Sequence, residues 1–255
     1  MAEVLLSPGV LARENDQSFL TSQPVQAGAA ILGPTVKGPV GIPTIVTTYS
    51  DYQNVFGAKI VSGSSEYTYL TSIAAYNYFQ QGGDSLLVTR IVSGSYTEAT
   101  SSKILNEGNV SSFTLETLSE GANQNSSSSL GTQGQLSAGT ADNIRWEIAS
   151  PNTASGTFAL LIRQGNDITN NKTILETWAN LSLDPNSTNY IEKVIGNAKQ
   201  SVDTDGTESY IKYSGEYANT SRYVRVKSVS TPTLNYVDNA GFAKSEFTSS
   251  IPLDS

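Results

Sequence analysis

The chain has 255 residues, of which 38% are hydrophobic and only 15% charged, and its formal net charge is -8 at pH 7. It contains neither cysteine nor histidine, which excludes disulfides, thiolate metal sites and every Ser-His or Cys-His catalytic pairing. The acidic balance argues against nucleic acid, which needs clustered Lys or Arg, and leaves only carboxylates, Lys or Tyr for any catalysis. The N-terminus lacks a secretory pattern, and no apolar run approaches the roughly 18–20 residues that cross a bilayer, so a cytoplasm-like compartment and no membrane insertion are expected.

Residues 1–21 read as an extended arm. Pro8 and Gly9 block an early helix, and a polar stretch from Arg13 to Gln17 separates Leu5-Leu6 from Phe19-Leu20. An arm that cannot bury its apolar residues locally either frays or finds a sheet edge elsewhere.

Residues 22–92 predict a β-α-β piece of an α/β layer. Ala27 to Leu32 reads as a short strand stopped by Gly33-Pro34, and Pro43-Thr44-Ile45-Val46 as a second extended run. Between them, the Gly- and Pro-rich loop from Thr35 to Pro43 should be tight and non-helical. Ser50 is the expected N-cap of a helical turn that Gly57 ends. In the next helix, Leu70, Ile73, Ala74 and Asn77 share one face, which should pack on the sheet before Gly82-Gly83 gives a left-handed stop. Leu86 to Val92 is nearly all apolar, as expected of a central strand covered on both faces.

From residue 93 the texture turns β-rich, so 93–255 reads as a separate region. Phe113 to Leu118 alternates, and Gly121 to Gly139 is low in complexity and expected to form an exposed, flexible loop. Further strands are expected at Ile144–Ile148 and Thr157–Arg163, across a turn from Pro151 to Gly156, and at Thr173–Asn180. A helix should bury Tyr190, Ile191, Val194 and Ile195 and close at Gly196, and two more short strands fall at Tyr210–Tyr213 and Tyr223–Val226. The class is α+β, an α/β piece followed by a β-rich one.

Three patterns imitate chemistry. Gly33-x4-Gly38 lacks the Lys-Ser/Thr that a phosphate loop requires, since Pro39 and Val40 follow. Asp203 to Glu208 has its glycine at the wrong place for a calcium loop and reads as a hairpin turn. Glu176 with Asp184, or Asp203 with Asp205, could only serve a glycosidase if held about 5 to 9 Å apart across a cleft. Tyr67, Tyr69, Tyr76 and Tyr78 suit packing or a subunit contact. No catalytic, cofactor or metal residues are assigned.

Three stretches together resemble contractile phage tail sheath proteins. One is Leu6-Ser7-Pro8-Gly9-Val10. The second runs from Gly28-Ala29-Ala30-Ile31-Leu32-Gly33-Pro34 through Phe56-Gly57 and Gly82-Gly83 to Val88-Thr89-Arg90-Ile91-Val92. The third is Glu176 to Pro185 with the helix after it. The resemblance covers about residues 4–92 well and 140–226 loosely.

It implies a structural, non-enzymatic virion protein. Its subunits polymerise around an inner tube by β-strand exchange, and the sheath shortens to drive the tube through the host envelope for genome ejection. It implies that Glu3 to Val10 is the donated strand, with Leu5, Leu6, Pro8, Gly9 and Val10 as the inter-subunit arm and Arg13 to Leu20 as its hinge. It further implies that 22–92 belongs to the conserved sheath domain and 93–255 to an inserted protruding domain. The implied partners are other sheath subunits as a homo-oligomer, the tail tube protein, the baseplate and the tail terminator, and the location is the virion tail, assembled in the host cytoplasm. Family members finish with a C-terminal region that completes the inner domain. The last residues here supply none, so a truncated product, a fragment or one part of a split sheath is expected. The alternative is a tail-associated adhesin or carbohydrate-active module built from the β-rich region.

Overall fold

The computed structural model describes residues 28–62, 65–94, 96–121 and 129–254. The first part is an α/β layer with strands β1 (Ala29–Gly33) and β2 (Thr44–Val46), helix α1 (Tyr49–Phe56), hairpin strands β3 (Ile60–Ser62) and β4 (Ser65–Tyr67), helix α2 (Leu70–Gln80) and strand β5 (Leu86–Arg90). β5 is the middle strand of three, with β1 parallel to it and β2 antiparallel. Alternation sends Leu86, Val88 and Val46 to one face, where they meet Tyr52, Phe56 and Ala75 of the helices in a small core.

Both helices depart from the sequence reading in detail. The N-cap of α1 is Thr48, not Ser50. The Thr48 hydroxyl accepts the Asp51 N–H at 3.0 Å while the Asp51 carboxylate accepts the Thr47 N–H at 3.3 Å, a reciprocal pair that fixes the start two residues earlier. In α2 the buried residues are Thr71, Ser72 and Ala75. The face carrying Leu70, Ile73, Ala74 and Asn77 points away from the sheet. Close approach explains the inversion: a Cβ on Gly33 would sit 2.6 Å from the Thr71 hydroxyl, so the helix seats on its small residues against a glycine of β1. Gly82, at φ +88°, ends the helix as expected.

The loop from Thr35 to Pro43 is tight and ordered. Its backbone donates from Lys37 to the Phe56 carbonyl and from Gly41 to the Arg90 carbonyl. Gly38 holds φ +106° with the Phe56 ring pressed against it, a place where no side chain fits.

The second part is a β-rich body. One sheet orders β11 (Ile174–Ser182), β10 (Thr157–Gln164) and β9 (Ile144–Asn152). The other orders β14 (Val224–Val229), β8 (Ser111–Glu120) and β6 (Glu98–Thr100), with β7 (Ile104–Leu105) also on β8. Their apolar faces meet in one core, where Phe113 of β8 stacks on Phe158 of β10 at 5.6 Å between ring centroids. Helix α3 (Ile191–Ile195) closes the core's side, buries Ile191 and Ile195, and stops at Gly196 with φ +103°. The hairpin of β12 (Lys199–Asp205) and β13 (Glu208–Ser214) turns at Gly206, φ +63°, which is the turn that Asp205-Gly206 predicts. The fold is thus α+β with strand predominant.

One further expectation needs correction. The described part of the low-complexity stretch, 129–139, is tied down: Arg145 donates to the Gly134 carbonyl at 2.8 Å and Thr169 N–H to the Gln133 carbonyl at 3.0 Å. Ile251 is buried in the β-rich core, and Leu253 N–H bonds the Leu105 carbonyl at 3.0 Å.

Candidate assembly surface

The predicted arm residues Leu5, Leu6, Pro8, Gly9 and Val10 lie outside the described residues. What is described is the layer to which the arm connects. Its sheet is unfinished in two respects. Among the described residues no strand pairs with the outer edge of β1 or of β2, so their outward N–H and C=O groups are open to an added strand. The second face of the sheet carries Ala30, Leu32, Ile45, Leu87 and Thr89; among the described residues no helix packs on it, and Leu32 is 67% exposed while Ile45, Leu87 and Thr89 are half-buried. Parallel pairing normally occurs in sheets covered on both faces. β5 is therefore central, as predicted, but among the described residues helices cover it on one face only.

The outward face of α2 extends this apolar exposure. Leu70 is 81% exposed, Ile73 44% and Tyr76 45%, with Tyr67 of the neighbouring hairpin also exposed. Apolar residues of this size clustered outside a core mark an interaction surface more often than a solvated one. Of the tyrosines singled out by sequence, Tyr78 is structural: its hydroxyl donates to the Ser85 carbonyl at 2.9 Å. Tyr76 packs edge-on against Tyr49 at 5.0 Å.

Polar ties join the layer to the β-rich body. The Arg90 guanidinium, buried, donates from Nη1 to the carbonyls of Gly38 and Glu120, both at 2.7 Å. The Glu120 carboxylate accepts the Val40 N–H at 2.6 Å, and the Ser119 hydroxyl accepts the Gly38 N–H at 3.1 Å. Burial holds the Glu120 carboxyl above its ordinary value, with nearby Glu98 adding to the rise and the Val40 N–H and Arg90 opposing it. Lys37 reaches Asp142 at 3.8 Å; burial lowers the lysine and raises the aspartate, and their mutual attraction does not reverse either shift. The sequence hides this seam, because its bonded partners are thirty or more positions apart and only Arg90, a charge inside an apolar strand, signals it.

Three of the four carboxylates considered for glycoside chemistry, Glu176, Asp184 and Asp203, are occupied. Glu176 accepts from the Ser221 hydroxyl at 2.7 Å, the Arg222 N–H at 2.8 Å and the Trp178 indole at 3.1 Å. Asp184 accepts the Asn186 N–H at 3.0 Å within a turn, and Asp203 pairs with Lys212 at 3.1 Å.

No protein-family model matches the chain, and no curated protein matches it in sequence. Among solved structures it is similar to the sheath tail protein of Desulfitobacterium hafniense, at 12% identity and a TM-score of 0.31, over 87% of this chain and 39% of that one. The chain spans about two fifths of that protein's length. A likeness at this score is weak and decides neither fold nor role. Among the described residues no helix is long and apolar enough to cross a membrane.

Proposed function

We propose that the chain is a structural subunit of a contractile tail sheath. It polymerises with its own kind around an inner tube by strand exchange and shortens to drive the tube through a host envelope. The observation that carries this reading is the α/β sheet, which among the described residues has two unpaired edges and one face without a covering helix. The motif resemblance of residues 4–92 supports it. On this reading Glu3 to Val10 adds to a neighbour's sheet with Leu6 and Val10 on one face and Leu5 on the other, and main-chain hydrogen bonds hold the joint. Residues 22–92 form part of the assembling domain, and 93–255 form an outward domain. Tube protein, baseplate and tail terminator are the other partners, and the virion tail is the location. Contacts of this head-to-tail kind build rings where the rotation closes and helical tubes where it does not.

The test is light scattering with negative-stain microscopy of the purified chain and of the Leu5→Asp/Leu6→Asp variant. Rings or tubes from the parent and dispersed particles from the variant are expected. A parent that stays monomeric at every concentration, or a variant that assembles equally well, overturns the proposal.

A further inference from the structure

Between the α/β layer and the β-rich body lies a cleft of about 400 Å³, within the range of small-molecule sites. Its lining includes the buried or half-buried apolar side chains Ile42 and Leu118 and the half-buried ring of Tyr223. Exposed planar polar groups line it too, Asn54 from α1, Gln200 from β12 and Arg222 beside β14. The side chains of these three make no hydrogen bond among the described residues, and neither does the Tyr223 hydroxyl. Each therefore has capacity to offer a ligand.

The charged side chains that line the cleft nearly balance, with Lys37, Arg222 and Arg225 against Asp51, Glu98, Glu120 and Asp142. Lys37 stands against Asp142, and Arg225 is already committed to Glu98 at 2.8 Å and to Glu116 at 2.7 Å. A walled space with so small a net charge gives an ionic ligand little reason to prefer it. Side-chain amides instead present donor and acceptor side by side, which matches hydroxyl groups that both donate and accept. An aromatic ring in the lining adds a flat apolar surface suited to the C–H face of a pyranose.

We propose that this cleft binds a short neutral saccharide, stacked on Tyr223 and hydrogen-bonded by Asn54 and Gln200. The site draws on both halves of the chain, so an occupant bridges them. It stands on this geometry alone and does not depend on the sheath reading.

The experiment is saturation-transfer NMR, with thermal unfolding alongside, on the full chain with N,N′-diacetylchitobiose, cellobiose and maltose as probes. At least one probe should receive saturation and raise the unfolding midpoint, since a ligand bound only by the folded chain stabilises it. Tyr223→Ala should weaken that binding by about tenfold and Gln200→Ala by about threefold, roughly 1.4 and 0.6 kcal/mol. Gln200 is exposed, so its variant keeps the test valid if Tyr223→Ala fails to fold. No binding by any of the three probes, binding unaffected by Gln200→Ala, or preference for charged gluconate over all three overturns the proposal.

Discussion

Replacing Arg90 by Met should loosen the joint between the α/β layer and the β-rich body. The methionine keeps most of the buried stem but deletes two charge-assisted bonds of 2.7 Å, to the carbonyls of Gly38 and Glu120. Bonds from a charged donor contribute about 1.5–3 kcal/mol each, so the pair is worth roughly 3–6 kcal/mol before offsets. One offset is visible, since the Arg90 Nε is buried without a partner and the guanidinium loses hydration. The net loss should therefore be about 2–4 kcal/mol. Urea unfolding followed by tryptophan fluorescence and by far-UV circular dichroism reads it. Both tryptophans, Trp146 and Trp178, sit in the β-rich body, so the two signals should separate in the variant as the α/β layer melts first. A midpoint within about 0.5 kcal/mol of the parent, the range of an ordinary surface change, would refute the reasoning.

Three other outcomes follow from buried charge. Arg163 holds Asp167 by two bonds of 2.8 Å and Glu147 by one of 2.6 Å, so Arg163→Leu removes three charge-assisted bonds from two buried carboxylates, which keep Arg145 at 3.4 Å and Lys172 at 2.8 Å, and should cost about 2–4 kcal/mol by urea titration. Lys37→Met/Asp142→Asn should leave the urea midpoint unchanged or raised, because burial already outweighs attraction in that 3.8 Å pair. Glu120, held above its ordinary 4.5, contributes stability that is fully present below that value and is lost as pH rises through its folded pKa. Glu120→Gln should thus be more stable than the parent at pH 7, with the difference shrinking to nothing by about pH 4 in a series of urea titrations.

Local signals in the sequence were read well where one residue determines the backbone. Gly82, Gly196 and Gly206 end two helices and turn a hairpin, each with positive φ, and all three were legible. The alternation in Phe113–Leu118, Ile144–Ile148 and Thr157–Arg163 located β8, β9 and β10 because a half-buried strand has a period of two. The orientation of α2 was not legible. Its small residues rather than its large ones face the sheet, and only the close approach to Gly33 reveals that preference. Lys199–Asp205 passed unnoticed as a strand because its pairing partner β13, not its own apolar content, holds it. Of the candidate site, the arm lies outside the described residues, whereas the open sheet face and the seam through Arg90 needed the tertiary arrangement to be seen.

Hydrogen–deuterium exchange on the intact chain over a range of concentrations tests the central claim most directly. Amides along Ala29–Gly33 and the outward face of α2 should become protected as concentration rises, and Leu5→Asp/Leu6→Asp should abolish that gain. Protection that does not change with concentration, or that grows only within residues 144–229, would contradict assembly through the unfinished sheet.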